Sequence, residues 1–386
     1  MTEETNPAST VAPTATAEPA SRPPKQEQLR ASDEVTEVAP GVLRMQLPID
    51  LPGLGHVNMY AIEDGDGIAV VDPGMPGKDN WDAINARLDK AGIPLRRVHT
   101  VVVTHSHPDH FGGAGLIAKE TGARIVSSSR FTTFWQPADG DAELSEASPD
   151  EEADFFARLL SADTHDEHGN ELPASPFARP TPWGGRTEAP PPERLAEMRD
   201  NIGEYLKWFR PPRPTLRLDD EDPVILGGRE WFGLYTPGHT DDHLCLFDPT
   251  EGIFVSGDHV LPTITPHISG LVEGDSLARF MDSLDRVGAV EGVRTVLPAH
   301  GNPFTDLSGR VGEIKRHHHE RLDKLRDVSA QLGWATVESI SHEMFKPRSW
   351  GSMAESETYA HLEYLRIRGE ADWREAPGGI LEFIVN

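Results

Sequence analysis

Four side chains that can bind metal ions lie close together after a predicted strand. His105, His107, Asp109 and His110 follow the apolar residues 101–104. Residues two apart in extended backbone project to the same side, so His105 and His107 are placed to bind one ion. Asp109 and His110 then face a second ion. Imidazole and carboxylate ligands suit zinc, iron or manganese, and their density here predicts a metal centre rather than a loop of surface histidines.

Three further candidate ligands each stand in a tight turn after an apolar strand. They are His239, Asp258 and His300. Each alone would be more typical of a helix cap or a surface residue, but several strand ends that all deliver ligands are what a shared site requires. His259 and His267 follow Asp258 closely and are candidates for the substrate pocket, although turn residues at strand ends are often merely exposed.

These candidates sit in a chain that alternates strands with helices. Short apolar runs closed by Gly, Pro or Asp predict strands at 41–45, 59–62, 68–71 and 98–104, with a helix at 79–91. The same pattern returns in strands at 224–226, 230–235, 244–247, 252–255 and 295–297, with a helix at 276–287. The fold class is therefore α/β.

Residues 1–32 and 132–222 differ in composition from the rest of the chain. The first segment has few large apolar side chains and predicts a disordered tail. The second is acidic and rich in proline, with helical patterns at 151–160 and 192–209. We interpret it as a helical insertion in a catalytic domain of residues 33–306, with a disordered acidic linker as the alternative. Its aromatic side chains would form a roof over the metal ions or the insertion's own core: Phe131, Phe134, Trp135, Trp183, Tyr205, Trp208 and Phe209.

Residues 307–386 predict a small C-terminal unit of winged-helix type. Helices to about residue 332, at 336–345 and at 355–368 precede a hairpin at 371–385. The unit's acidic residues suit phosphate contacts poorly, which favours a packing or dimerisation role: Glu355, Glu357, Glu363, Glu370 and Glu375. The adjacent His317, His318 and His319 cannot share one helix face, so we interpret them as a solvated basic face or a substrate-edge patch.

The charge balance narrows the range of partners and compartments. Asp and Glu number 63 against 36 Lys and Arg, a net charge of -27, so nucleic acid and anionic membranes should be repelled at long range. A local cationic site can still act, since salt screens charges beyond roughly 8–10 Å. The single cysteine, Cys245, excludes an intramolecular disulfide and is expected to be buried in a strand. With neither a long apolar run nor a signal peptide, the sequence predicts a cytoplasmic protein that does not span a membrane.

The HxHxDH motif at 105–110, followed in order by the later His, Asp and His, resembles the metallo-β-lactamase superfamily. The resemblance covers roughly residues 35–306 and implies an αββα sandwich with the site at one edge. It implies two divalent ions, zinc with iron or manganese as alternatives, one bound by His105, His107 and His239, the other by Asp109, His110 and His300, with Asp258 bridging. Asp72 matches a position that supports the histidines from behind, with turn capping as the alternative.

The resemblance also implies a reaction. Two bound ions would lower the pKa of a shared water to about 7 and create a bridging hydroxide, with Asp109 as the catalytic proton acceptor. The best-known β-lactamases place Cys where Asp258 stands, so the aspartate points to the glyoxalase II, lactonase and ribonuclease branches.

We therefore predict a hydrolase of a carboxylic ester or thioester, acting on a small anionic or acyl substrate. The C-terminal segment resembles the winged-helix appendage of lactamase-β-like proteins, some of which cleave RNA, and a homodimer is compatible with it. The alternatives are a phosphodiesterase or endoribonuclease, a mononuclear-iron enzyme like the sulfur dioxygenases, and a regulatory protein.

Overall fold

The computed structural model describes residues 25–51, 53–65, 67–133, 180–187 and 191–386. Seven strands form the first sheet in chain order. They are β1 Val35–Ala39, β2 Val42–Leu51, β3 Leu54–Glu63, β4 Ile68–Val71, β5 Val98–Val102, β6 Arg124–Ser128 and β7 Leu216–Leu218. The pairs from β1 to β4 are antiparallel and those from β4 to β7 are parallel.

The second sheet has the order β12-β11-β10-β9-β8. Its strands are β8 Pro223–Leu226, β9 Arg229–Tyr235, β10 Leu244–Asp248, β11 Ile253–Gly257 and β12 Thr295–Pro298. Every strand predicted from the apolar runs is present. The sequence analysis missed β1, β6 and β7.

Helices cover the outer faces of both sheets. In chain order they are α1 Lys78–Lys90, α2 Pro108–Phe111, α3 Ala114–Thr121, α4 Pro192–Asp200, α5 Ile202–Tyr205 and α6 Ser276–Gly288. Strand β4 shows why its sequence is apolar throughout: Ile68 and Val70 face the helices, while Ala69 and Val71 face the second sheet. The layers are therefore helix, sheet, sheet, helix, as the αββα expectation states.

The C-terminal segment follows directly from the second sheet. It consists of α7 Leu307–Leu332, β13 Ala335–Thr336, α8 Val337–Met344, α9 Ser352–Ile367 and the hairpin of β14 Ala371–Ala376 and β15 Ile380–Val385. The strands β13, β15 and β14 form a small antiparallel sheet. The predicted helices and hairpin are present, and the winged-helix interpretation stays a prediction.

The predicted tail and insertion boundaries need correction. Residues 25–32 were placed in the tail, yet Glu27 is fully buried and accepts hydrogen bonds from Thr263 and Ile264. The insertion was expected to reach residue 222, yet Leu216–Leu218 is the edge strand β7, paired with β6. The helical segment expected at 151–160 lies outside the described residues.

Three of the aromatic residues assigned to the insertion pack elsewhere, and Phe134 and Trp135 lie outside the described residues. Phe131 and Phe209 lie in the core beneath the first sheet, with ring centroids 6.3 and 6.2 Å from that of Phe111. Trp183 packs on Tyr359 of α9, and its carbonyl accepts a hydrogen bond from Leu381. These three therefore form neither a roof over the metal site nor a separate core.

The three adjacent histidines of α7 point in different directions, as helical geometry requires. His318 is fully buried, with Nδ1 3.1 Å from Nε2 of His361, whereas His317 is half-buried and His319 is exposed. The expected solvated face is therefore wrong for His318, because that position of α7 faces the core shared with α9.

Candidate metal centre

The first group of candidate ligands comprises His105, His107, His239 and Asp258, whose ligand atoms all lie within 4.8 Å of one another. Nδ1 of His107 lies 3.1 Å from Nε2 of His105 and 3.1 Å from Nε2 of His239. Asp258 Oδ2 lies 3.6 Å from Nε2 of His239. Three imidazoles and a carboxylate therefore converge on one point.

The second group comprises Asp109, His110 and His300. Oδ2 of Asp109 lies 3.5 Å from Nε2 of each of the two histidines. The carboxylate of Asp258 stands 3.5 Å from Nε2 of His110 and 3.2 Å from Nε2 of His300. Asp258 thus contacts both groups, and the structure brings all seven predicted ligands together.

Strand ends of both sheets deliver these side chains. His105 and His107 follow β5, and His107 is the N-cap of α2, where Pro108 begins a helix that carries Asp109 and His110. His239 lies between β9 and β10, while Asp258 and His300 follow β11 and β12. Gly238 has φ 136°, and a Cβ there would lie 2.4 Å from that of Phe280, so this turn requires glycine.

Hydrogen bonds from behind orient three of the histidines. Asp72 accepts from Nδ1 of His110 at 2.9 Å and from the amide and hydroxyl of Thr104. Nδ1 of His239 donates to the carbonyl of His267, and Nδ1 of His300 donates to that of His56, each at 2.7 Å. Each of these bonds leaves Nε2 free to face the cluster.

The left-handed backbone of Asp72, with φ 52°, shows that this position is more than an ordinary turn. Aspartate adopts positive φ more readily than most residues, and its amide donates to the carbonyl of Val102. The carboxylate is thereby aimed at Thr104 and His110. This geometry fits the supporting role that the resemblance implied.

Two buried residues near the centre were missed in the sequence. His243 is fully buried, its Nε2 accepts from the amide of Asp258 at 3.1 Å, and its Nδ1 lies 2.8 Å from the hydroxyl of Thr236. Asp242 accepts from the hydroxyl of Ser106, and burial raises its pKa to about 6. Both precede the apolar strand β10, whereas the predicted ligands were identified because they follow a strand, so that signal did not point to these two residues.

The two expected pocket histidines have different positions. His259 is fully buried between the rings of His243 and Phe280, so it does not line an accessible pocket. Its ring points into the core because α6 covers this side of the sheet. His267 contacts the centre through its carbonyl, while its ring lies 3.6 Å from Oε2 of Glu357.

The environment of the first group keeps its histidine side chains in the neutral form. Burial lowers the pKa of His105 and His239, and it lowers that of His107 to about 3. These imidazoles are therefore unprotonated at neutral pH. Unprotonated nitrogen is the form that binds a metal ion.

The second group holds excess negative charge. Burial opposes protonation there, yet the carboxylates of Asp109 and Asp258 raise the pKa of His110 well above its usual range and that of His300 to about 10. Nε2 of both histidines and Oδ1 of Asp258 are buried without a hydrogen bond from the described residues. Such atoms are costly unless a cation binds them, so the residues fit divalent metal ions.

The family model of the metallo-beta-lactamase superfamily matches residues 52–327. The chain belongs to the metallo-beta-lactamase superfamily. The matched span contains all seven candidate ligands. The chain is a metal-dependent hydrolase of this superfamily, with histidine and aspartate groups that can hold metal ions.

Proteins similar to this superfamily member come from bacteria and fungi. The "Probable metallo-hydrolase YqjP" of Bacillus subtilis (strain 168) is 23% identical over 333 residues, covering 84% of this chain and 92% of that protein. The "Lactamase-like protein nscB" of Neosartorya fischeri is 27% identical over 161 residues, covering 42% of this chain and 46% of that protein.

Two crystal structures of superfamily members share the fold over almost their full length. A metallo-beta-lactamase family protein from Thermus thermophilus is 25% identical with a TM-score of 0.66, covering 91% of this chain and 100% of that one. A beta-lactamase domain protein from Burkholderia ambifaria has the same identity and TM-score, covering 92% and 96%. In the described part of the present chain, no helix has the length and apolar character needed to cross a membrane.

Proposed function

We propose that the protein is a dinuclear-metal hydrolase of carboxylic esters or thioesters. The observation that carries this proposal is the shared position of Asp258, which contacts both groups of candidate ligands. A complete second group is difficult to reconcile with a single-iron oxidation site. We therefore favour hydrolysis over the sulfur dioxygenase alternative.

The side chains of this centre have distinct roles in the proposal. Two divalent ions, when bound, would supply the Lewis acidity that polarises an ester carbonyl and acidifies a water molecule. Asp258 holds the two groups at one spacing, and Asp72 holds the ring of His110 in place. Asp109 is the proposed proton acceptor, because its carboxylate has two oxygens, one that can bind an ion and one that can accept the proton of the attacking water.

The ester is preferred to a phosphodiester on the basis of charge. The chain carries a net charge of -27, which opposes the approach of a long polyanion. The exposed acidic residues Asp372 and Glu375 on the C-terminal segment act in the same direction. The order α7, β13, α8, α9, β14, β15 supports a winged-helix interpretation of that segment, with packing as its role.

The decisive experiment measures metal content and substrate class together. Wild type and Asp258→Ala are analysed for bound metals and assayed with a thioester, a lactone, a phosphodiester and a short RNA. We expect two metal ions per wild-type chain and hydrolysis of the thioester or lactone. Asp258→Ala should lose metal and at least about 100-fold in kcat/KM, because even partners of ligands contribute about 10- to 100-fold.

Asp241→Ala is the matched control, because Asp241 is an exposed aspartate in the turn beside His239. It should keep its metal and its activity. One bound iron with no hydrolysis would contradict the proposal. Hydrolysis of RNA alone would show that the substrate is a phosphodiester and not an ester.

A further inference from the structure

A cationic cavity lies next to the loop that leads to His267, the hydrogen-bond partner of the candidate ligand His239. The cavity has a volume of about 480 Å³. It lies between the first half of α7, the loop 263–265 and Lys25. The charged or titratable side chains on its wall are Lys25, Arg310, Glu313, Arg316, His317 and Arg321. Basic groups therefore dominate the wall, against the charge of the molecule as a whole.

We propose that this cavity binds a phosphate group carried on the leaving group of the ester or thioester substrate. The inference rests on the proposed function, because it gives that function a substrate class. Its physical basis is twofold: some cationic side chains of the wall are paired with carboxylates while others are not, and the loop 263–265 leads towards the metal centre.

Two of the arginines are held rigidly. Arg310 donates to the carbonyls of Leu261 and Ile264, each at 2.7 Å, and to Glu313 at 2.8 Å. Arg321 lies 2.9 Å from Glu357. These guanidinium groups fix the loop and α9 against α7, and their charges are matched by the two carboxylates.

Lys25 and Arg316 provide the uncompensated charge. Both are exposed, the ammonium group of Lys25 donates only to the carbonyl of Thr263, and Arg316 makes no ion pair or hydrogen bond among the described residues. Burial, and then Arg321, lower the pKa of His317, so its ring is neutral at pH 7. Glu27 lies behind the loop, where Thr263 and Ile264 satisfy its carboxylate. Two free positive charges match a phosphate monoester, which carries about -1.5 to -2 at pH 7.

The loop 263–265 connects the cavity to the metal centre. Thr265 lines the cavity, and His267, two residues later, accepts the hydrogen bond of the ligand His239. Two residues span at most about 7 Å. A second connection runs from Arg321 through Glu357 to the ring of His267. The cavity and the metal centre are therefore neighbours through the loop 263–267, and in the proposal a flexible arm of the substrate spans the distance between them.

The test compares two thioesters that differ in phosphate. The metal-loaded enzyme is assayed with an acyl thioester of coenzyme A, whose leaving group carries phosphates, and with the same acyl thioester of pantetheine, which carries none. We expect kcat/KM to be higher for the first by about tenfold or more, because charge-assisted hydrogen bonds are strong. In Lys25→Gln/Arg316→Gln this ratio should fall towards one. Arg96→Gln, which removes an exposed arginine outside the cavity, should keep the wild-type ratio.

Calorimetric titration of the same proteins with inorganic phosphate keeps the two proposals separate. Wild type and Arg96→Gln should show a phosphate site that the double variant loses or binds about tenfold more weakly. If neither thioester is hydrolysed, the ester proposal fails. The titration still shows whether the cavity binds phosphate.

An unchanged phosphate affinity in the double variant would overturn the inference. So would phosphate binding without any change in the thioester ratio, since the cavity would then serve a free anion. Cleavage of a short RNA that depends on Lys25 and Arg316 would assign the cavity to a polyanion instead.

Discussion

Asp72 is buried behind His110 and organises the second half of the metal centre. Its carboxylate accepts three hydrogen bonds, two of them from Thr104 and one from the imidazole. The imidazole is thereby held with Nε2 towards Asp109 and Asp258. A residue outside both groups of candidate ligands thus determines how the imidazole of His110 is presented to a metal ion.

Substituting Asp72 with asparagine should weaken metal binding selectively. Asp72→Asn keeps the size of the side chain but removes the charge that orients the ring of His110, so affinity for a metal ion at the second group should fall by about 10- to 100-fold. Calorimetric titration of the metal-depleted wild type and variant with zinc measures this change in affinity.

Asp248→Asn is the matched control, because Asp248 is also fully buried but pairs with Arg229 far from the centre. This variant should lower stability and leave the affinity for metal unchanged. Equal loss of affinity in the two variants would show that Asp72 acts only through the fold.

At the level of elements, α9 connects the C-terminal segment to the metal centre. Glu357 on α9 lies 2.9 Å from Arg321 on α7 and 3.6 Å from His267 of the loop that orients His239. Burial would raise the pKa of Glu357, but His267 and Arg321 outweigh burial and lower it to about 2. This carboxylate is therefore ionised in the folded protein across the neutral and mildly acidic range.

The depressed pKa predicts a pH-dependent contribution to stability. Because the folded value of about 2 lies below the usual 4.5, ionised Glu357 stabilises the fold above pH 4.5, and this contribution is lost as pH falls towards 2. Glu357→Gln should cost on the order of 3 kcal/mol near neutral pH, as breaking buried ion pairs does. Thermal unfolding of both proteins between pH 7 and 3 should show the difference shrinking below 4.5.

Glu343→Gln on α8 removes an exposed carboxylate of the same segment and should match wild type throughout. If Glu357→Gln lowers the free energy of unfolding by the same amount at all pH values, this position contributes through the shape of the side chain and not through its charge.

For the whole molecule, the C-terminal segment shares a core with the catalytic sheets. Phe280 and Leu284 of α6 belong to the same buried cluster as Ile314, Leu322 and Leu325 of α7. The boundary at residue 306, suggested by the family resemblance and by the helical pattern that begins at residue 307, therefore crosses a continuous apolar core. We expect the segment to be required for folding of the catalytic part.

Truncation after Asp306 should therefore abolish cooperative unfolding or cause aggregation, because each large apolar side chain left uncovered costs about 1.5–3 kcal/mol. Differential scanning calorimetry and size-exclusion chromatography measure this. Ile314→Ala tests the same core in a full-length chain and should cost about 2–5 kcal/mol. Met353→Ala on α9 removes a 65% exposed side chain and should be neutral. A truncated chain that unfolds at the wild-type temperature would contradict the shared core.

The candidate ligands could be predicted from the sequence because each follows an apolar strand. A strand buried on both faces has to end in a turn, and polar residues placed there meet at one edge of a sandwich. His105 and His107 are also two residues apart, a spacing that places both side chains on the same side of an extended backbone. The α/β class followed from the same apolar runs, and the αββα layers were implied by the family resemblance.

Other features depended on contacts between distant parts of the chain. Lys25 and Arg316 form one cavity wall only because the N-terminal residues pack on the loop 263–265 and α7. Phe131 and Phe209 belong to the main core and do not form a roof over the metal site. His243 supports Asp258 by accepting a hydrogen bond from the backbone amide of Asp258. Local spacing indicates which residues end a strand, but which surfaces meet depends on how the layers pack, and only the tertiary structure decides that.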